Sequence, residues 1–196
     1  MMGFKSKYSM RMTILASVIA VSGGGVASSA GASDGTITFD GKIQDVTCVI
    51  SGGTTPGSLD GKADFTITLP NVSTSALKKS GQRAGDTRFY IQLSGADCQD
   101  GKVADVVFEK AQSTIDATTG KLINQIKKAS GGSENVQIAI LNNDKTDINL
   151  NNSGSHQSVT IASNKALFEY WAQYYATGIV TAGLVQSQAL YSITYN

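Results

Sequence analysis

The C-terminal part of this 196-residue chain alternates between apolar and polar side chains. In the segment that follows Gly183, one face carries Ala189, Tyr191, Ile193 and Tyr195, and most of the side chains between them are polar. A period of two residues is typical of a β-strand with one buried face. Because its large side chains must be buried, this strand needs a neighbouring surface to pack against.

A second alternating stretch lies near the other end of the chain. Gly35, Ile37 and Phe39 form one face, and Thr36 and Thr38 form the other. Two such strands at opposite ends of one small domain indicate a protein that completes its fold by exchanging strands with another copy. Since the first and last strands of an ordinary complete sandwich also alternate, the pattern alone leaves that alternative open.

Residues 1–32 have the features of a secretory signal peptide. Three basic residues precede a short apolar run, 12–21, and small residues follow it. Cleavage is expected after one of three alanines, Ala27, Ala30 or Ala32. The apolar run is too short to span a bilayer, so no direct membrane insertion of the mature chain is expected.

Removal of the leader leaves about 164 residues, enough for one domain with a hydrophobic core. The leader contains three basic residues and no acidic ones, so its loss changes the formal net charge from +1 to −2. Such a near-neutral balance gives no electrostatic footprint for nucleic acid or for an anionic membrane surface. Neither is expected as a partner.

The chain has only two cysteines, Cys48 and Cys98. An exported protein meets an oxidising compartment, where an even pair of cysteines predicts one disulfide. Two thiols alone cannot complete a tetrahedral zinc site, and a redox pair would usually be spaced as Cys-x-x-Cys. A structural disulfide is therefore predicted.

Between the two ends, short alternating segments are separated by turn residues, and no long segment has helical periodicity. This organisation predicts an all-β sandwich. Residues 51–58 are predicted to be a loop, one helical turn fits 75–80, and 119–129 is ambiguous. The predicted strands are 36–39, 42–50, 65–69, 89–93, 103–108, 136–141, 148–150, 159–161, 167–175 and 189–195.

The sequence contains no convincing catalytic or metal-binding pattern. His156 is the only histidine and lies in a polar loop, which leaves little for a catalytic triad or a histidine metal site. Asp144 and Asp147 do not have calcium-loop spacing. The aromatic run around Trp171 is interpreted as core and interface packing rather than as a sugar platform. No enzyme activity, cofactor or metal is predicted.

Five features, taken together, resemble the pilins of the chaperone–usher (type 1-like) fimbrial family, in particular its major or shaft subunits. Their joint order and spacing carry the resemblance, which covers nearly all of residues 33–196. The first feature is Asp-Gly-Thr-Ile-Thr-Phe-Asp-Gly, which follows a signal peptide and precedes Val-Thr-Cys48. The next three are Thr-Leu-Pro-Asn-Val-Ser at 68–73, the segment 85–98 and the segment 172–183. The fifth is the terminus itself, where Gly183 is fourteenth from the end and Tyr195 is next to last.

The resemblance implies an incomplete immunoglobulin-like β-sandwich that lacks its last strand and is completed by donor-strand exchange. It divides the chain into a signal peptide (1–32), a donor-strand extension (33–41) and a pilin domain (42–196). The implied donor residues are Gly35, Ile37 and Phe39. The implied chaperone-binding strand at the groove edge contains Gly183, Ala189, Tyr191, Ile193 and Tyr195.

The resemblance also implies partners and a location. The expected partners are other copies of the chain, related pilus subunits, a periplasmic chaperone and an outer-membrane usher. The chain is expected to pass through the periplasm to a surface fimbria used for cell adhesion or biofilm formation. Two alternatives stay open: a minor adaptor subunit of the same pilus, and a self-contained secreted β-sandwich that binds carbohydrate or protein.

Overall fold

The computed structural model describes residues 48–59, 61–110, 114–152 and 157–196. These residues form strands and two single 3-10 turns, Thr74–Ala76 and Lys128–Ser130. The predicted strand 36–39 lies outside the described residues. The strands are β1 (Val49–Gly53), β2 (Arg83–Ser94), β3 (Val103–Phe108), β4 (Leu122–Ile123), β5 (Val136–Asn142), β6 (Gln157–Thr160), β7 (Lys165–Ala176) and β8 (Tyr191–Tyr195).

The strands form two antiparallel sheets. One has five strands in the order β1-β2-β7-β5-β4, and the other has three in the order β6-β3-β8. The predicted all-β class is confirmed. Among the described strands, β8 lies at the edge of its sheet and pairs only with β3. No helix in the described part of the chain combines the length and the apolar character needed to cross a membrane.

The core lies between the two sheets, because alternation along each strand turns one set of side chains inward. Phe89 and Ile91 of β2 and Phe168 and Tyr170 of β7 are buried, and they share one cluster with Val106 of β3. Burial of side chains of this size contributes roughly 1.5–3 kcal/mol each. The inward faces therefore hold the sandwich together.

A disulfide joins Cys48 to Cys98, as predicted. Cys48 directly precedes β1, and Cys98 follows the end of β2, the strand with which β1 pairs. Both residues are buried. The bond closes a separation of 50 residues along the chain and fixes the start of β1 against the five-stranded sheet.

Several predicted boundaries were wrong. Residues 51–53 belong to β1 rather than to a loop, because they pair with residues 90–92 of β2. The glycine at position 52 is required there, since a Cβ atom would lie 2.0 Å from the ring of Phe65. Residues 148–150 are not a strand, although Ile148 and Leu150 are buried. The ambiguous stretch 119–129 contains β4 and part of the second 3-10 turn.

Candidate functional site: the groove beside the C-terminal strand

The backbone of β8 is hydrogen-bonded to β3 along one edge. Opposed pairs are Tyr191 with Phe108, Ile193 with Val106, and Tyr195 with Ala104. The ladder continues at both ends, since Glu109 N donates to Leu190 O (2.8 Å) and Asn196 N donates to Val103 O (2.8 Å). The even-numbered residues of this segment therefore direct their N–H and C=O groups at β3.

It follows that the odd-numbered residues of β8 direct their backbone groups away from β3. On that side, the described strands provide no partner for β8. The predicted residues Ala189, Tyr191, Ile193 and Tyr195 are half-buried and pack on the core, whereas Leu190 between them is 59% exposed. The structure thus places these four side chains on one inward face. Regular strand pairing, however, is confined to Tyr191–Tyr195, which is shorter than the predicted 189–195.

A second segment faces β8 across the core. Phe65, Ile67 and Leu69 are half-buried and pack on the same cluster, with exposed residues between them. This segment alternates as predicted but is not a strand in the structure. The ring of Phe65 lies 6.2 Å from that of Tyr191 in an edge-on arrangement, and the Tyr191 hydroxyl donates to Ala63 O at 2.7 Å.

A cavity of about 160 Å³ lies beside Tyr191 and is lined by Ile50, Ala63, Asp64 and residues 189–193. We call this cavity, together with the flanking segments 63–69 and 189–195 that pack on the same core cluster, the C-terminal groove. Burial raises the pKa of the Tyr191 hydroxyl, with a further increase from the charge of Asp64. Burial likewise raises the pKa of Tyr195. Both hydroxyls are neutral at ordinary pH, so the side chains that β8 contributes to the groove carry no charge, and Asp64 is the acidic residue in the lining.

Gly183 lies where the chain approaches the C-terminal groove. A Cβ atom at this position would come within 2.5 Å of Ser133 N and 2.7 Å of Gly132 C. Only glycine allows this close passage of one backbone over another. The implied donor residues Gly35, Ile37 and Phe39 lie outside the described residues, as does His156. The structure therefore brings together the predicted residues of the C-terminal strand and leaves the donor residues as a prediction.

A second aromatic surface lies on the outward side of the five-stranded sheet. The core part of the interpretation given to the aromatic run holds for Phe168 and Tyr170, whereas Trp171, the next residue of β7, lies on the outward face of the sheet. Arg88 and Lys145 lie over its ring, at 4.4 and 4.2 Å from the ring centroid.

Tyr175 is covered in the same way by Arg83 and Lys121, at 5.2 and 4.5 Å from its centroid. Arg83 holds Asp147 with two hydrogen bonds of 2.6 Å, and Lys121 lies 3.2 Å from the same carboxylate. The hydrogen bonds from Arg83 lower the pKa of Asp147. We call Trp171, Tyr175 and these covering residues the outer aromatic face. The sequence pattern did not reveal this face, because the cation over each ring lies at least 26 residues from that ring along the chain.

The described residues contain no group of three or more His, Cys, Asp and Glu side chains that could hold a metal ion. What the C-terminal groove can do is bind an extended segment, because it combines an apolar floor with a strand edge whose backbone groups point toward it.

The comparisons with known proteins agree with this geometry. The family model described as "Type-1 fimbrial protein, A" matches residues 69–196. The major fimbrial subunit SMF-1 of Stenotrophomonas maltophilia (strain K279a) is 42% identical over 174 residues, which cover 85% of this chain and 95% of that protein. The minor fimbrial subunit HifD of Haemophilus influenzae is 32% identical over 198 residues, covering 95% of this chain and 82% of that one.

The fold is similar to that of a solved chaperone–usher pilus whose structure addresses rod uncoiling. The TM-score is 0.54 and the sequences are 19% identical, with 84% of this chain and 96% of the other covered. At that identity the likeness concerns the fold, which is the immunoglobulin-like sandwich of chaperone–usher pilins.

Proposed function

This chain belongs to the type-1 fimbrial protein family, and we propose that it is a pilin that polymerises head to tail by donor-strand exchange. Membership of the family makes it a subunit of a cell-surface fimbria. In the proposed filament, residues 33–41 of one subunit complete the sandwich of the preceding subunit. The observation that carries the proposal is the edge of β8 that points into the C-terminal groove.

That edge needs a partner for two physical reasons. Unpaired N–H and C=O groups along an edge strand are a template for pairing with another chain. The half-buried side chains of Tyr191, Ile193 and Tyr195 beside it would be buried further by an added strand. Chaperone–pilin complementation is a known example of such strand addition, so the proposal concerns the residues and not the mode.

The donor residues are assigned from the alternating pattern at 35–39. Ile37 and Phe39 would enter the groove of the preceding subunit, and burial of each would contribute roughly 1.5–3 kcal/mol. Gly35 lies on the same inward face, two residues earlier. Thr36 and Thr38 would face outward. These residues lie outside the described part of the chain, and their role is supported by the sequence pattern alone.

Before assembly, the same edge would be covered by a periplasmic chaperone and the subunit passed to an outer-membrane usher. In this scheme residues 1–32 direct export, and residues 42–196 form the pilin domain. Ala189, Tyr191, Ile193 and Tyr195 would face the interior that is shared with the chaperone. Gly183 would allow the chain to enter this strand.

Donor and groove are different surfaces, so the contact between subunits is heterologous and yields an open filament rather than a closed ring. A rod subunit is supported by the 42% identity to a protein named a major subunit, since the relative named a minor subunit is 32% identical. The filament would serve in cell adhesion or biofilm formation.

The donor assignment is tested by placing charges on its inward face. The double variant Ile37→Asp, Phe39→Asp should be exported normally but should form no filaments, because a carboxylate cannot enter an apolar groove without a large desolvation cost. The matched control Thr36→Asp, Thr38→Asp adds the same charges on the outward face and should assemble. Filaments are counted by electron microscopy of the cells. Normal filaments from the inward variant would show that the donor assignment is wrong.

A further inference from the structure

The C-terminal segment reaches the groove before it begins to pair with β3. Residues 184–190 are outside any strand, but their exposure alternates in phase with β8: Val185, Ser187 and Ala189 are half-buried, and Gln186 between them is exposed. Val185 packs on a second buried cluster that contains Val136 and Val180. The inward face therefore continues back from Tyr191 to residue 185.

The backbone of this earlier part has a different partner from that of β8. Leu184 N donates to Gly131 O and Ser133 N donates to Leu184 O, both at 2.9 Å. Gln125 N donates to Gln186 O at 2.8 Å. Residues 184 and 186 thus use their backbone groups on one side, as the even-numbered residues of β8 do. The odd-numbered residues from 185 to 195 direct theirs toward the other side.

The side chain of Asn124 connects the backbone of this segment to that of its neighbours. Asn124, directly after β4, donates from Nδ2 to Ser133 O and to Leu184 O, both at 2.9 Å. Its Oδ1 accepts from Gln186 N at 3.0 Å and from Ile126 N at 3.1 Å. All four hydrogen-bonding positions of the carboxamide are used, so it acts on this segment as a neighbouring peptide group would.

We propose that Asn124 is a positioning residue that extends the groove edge from β8 back to residue 185. This inference rests on the proposed donor-strand function and deepens it. The strand that would occupy the extended edge is residues 33–41 of a second copy of the chain.

The length of the donor extension supports the longer edge. At about 3.4 Å per residue, its nine residues span about 30 Å. The five residues of β8 offer only about 17 Å of edge, whereas residues 185–195 offer about 37 Å. A hydroxyl on the added part of the edge also lacks a partner: Ser187 Oγ is buried and unbonded within the described residues.

The test uses the chain that carries Ile37→Asp and Phe39→Asp, which cannot donate, and a synthetic peptide of residues 33–41. Amide exchange is followed residue by residue by NMR. Peptide binding should slow exchange at 185, 187 and 189 as well as at 191, 193 and 195. When Asn124→Ala is added to this chain, protection at 185–189 should fall by about tenfold or more, because the backbone of residues 184 and 186 loses the hydrogen bonds that hold the segment in place. Protection at 191–195 should persist.

Asn151→Ala is the matched control. Asn151 also donates to two backbone carbonyls, those of Asp116 and Ala117 at 3.0 and 3.1 Å, but it makes none of the contacts with 184–186. It should leave the protection pattern unchanged. Protection confined to 191–195 when Asn124 is intact would overturn the inference, and so would unchanged protection at 185–189 in Asn124→Ala. A peptide that protects no residue would overturn the donor function itself.

Discussion

The outer aromatic face and the C-terminal groove are both aromatic surfaces of one domain, but their rings have different neighbours. On the outer face, Trp171 and Tyr175 each lie beneath two basic side chains. In the groove, Phe65 and Tyr191 contact each other edge-on beside the cavity. The cation–π contacts found within the described residues all belong to the outer face.

The strands beneath the two surfaces also differ, because one is paired on both sides and the other on one side. Trp171 and Tyr175 belong to β7, which pairs with β2 on one side and β5 on the other. Tyr191 belongs to β8, which pairs with β3 alone among the described strands. Where a strand is paired on both sides, the aromatic rings on its outer face need only solvent and charged side chains around them. A surface with an open strand edge can still pair with another strand, and this difference supports the proposal that the groove is the place of assembly.

The two surfaces share one rigid core, and the largest expected effect on stability comes from a change in that core. Phe168→Ala, which removes a fully buried ring from β7, should lower the free energy of unfolding by about 3–5 kcal/mol. Leu167→Ala changes the neighbouring outward side chain, which is 42% exposed, and should cost about 0.5 kcal/mol or less. Denaturant titration of the purified chain measures both. Similar losses in the two variants would contradict the alternation of β7.

The disulfide provides the next largest effect, because it lies on the groove side of the molecule. Cys48 is two residues from Ile50, which lines the cavity, and its backbone hydrogen-bonds with Tyr195. Replacing both cysteines by serine should lower the free energy of unfolding by about 4 kcal/mol in the chain-entropy model. The wild-type chain under reducing conditions should unfold like the double variant. A loss below about 1 kcal/mol in denaturant titration would show that the 50-residue loop is held closed by other contacts.

The smallest expected effect is on the pH dependence of stability, which differs between the two surfaces. Asp147 on the outer face has a lowered pKa, so its contribution is present above the unfolded value of about 3.9 and is lost as pH falls below it. Tyr191 in the groove has a raised pKa, so its contribution is complete below about pH 10 and is lost above it.

Asp147→Asn should therefore flatten the acid side of the stability profile, and Tyr191→Phe should flatten the alkaline side. Because Asp147 is more than a third exposed, its effect should be only about 0.3–0.5 kcal/mol. Thermal unfolding across the pH range measures both variants. An acid profile that Asp147→Asn leaves unchanged would contradict the role given to the ion pairs of the outer face.

Alternation was enough to predict the parts of the fold in which one face of a strand is buried. Phe89, Ile91 and Leu93 lie inward on β2, and β3 has the predicted bounds. The strand character of residues 51–53 could not be predicted, because Gly-Gly is typical of loops. Only the distant Phe65 ring explains why a strand glycine is needed at position 52.

The candidate site was predictable in part for the same reason. The inward face at 189–195 follows from its period of two, and the structure places these side chains together. The partners of residues 184–186 could not be predicted, since Asn124 is 60 residues away and has no local pattern that marks it. The outer aromatic face likewise depends on cations from distant strands and loops.

The central claim is that one copy supplies a strand to the groove of another, and mixing two defective variants tests it most directly. The chain with Ile37→Asp and Phe39→Asp has a groove but no donor, and a chain with Ile193→Asp has a donor but a charged groove. Each should fail to polymerise alone, and their mixture should stop at one-to-one heterodimers, as measured by light scattering. Filaments from either variant alone, or a mixture that stays monomeric, would contradict the account.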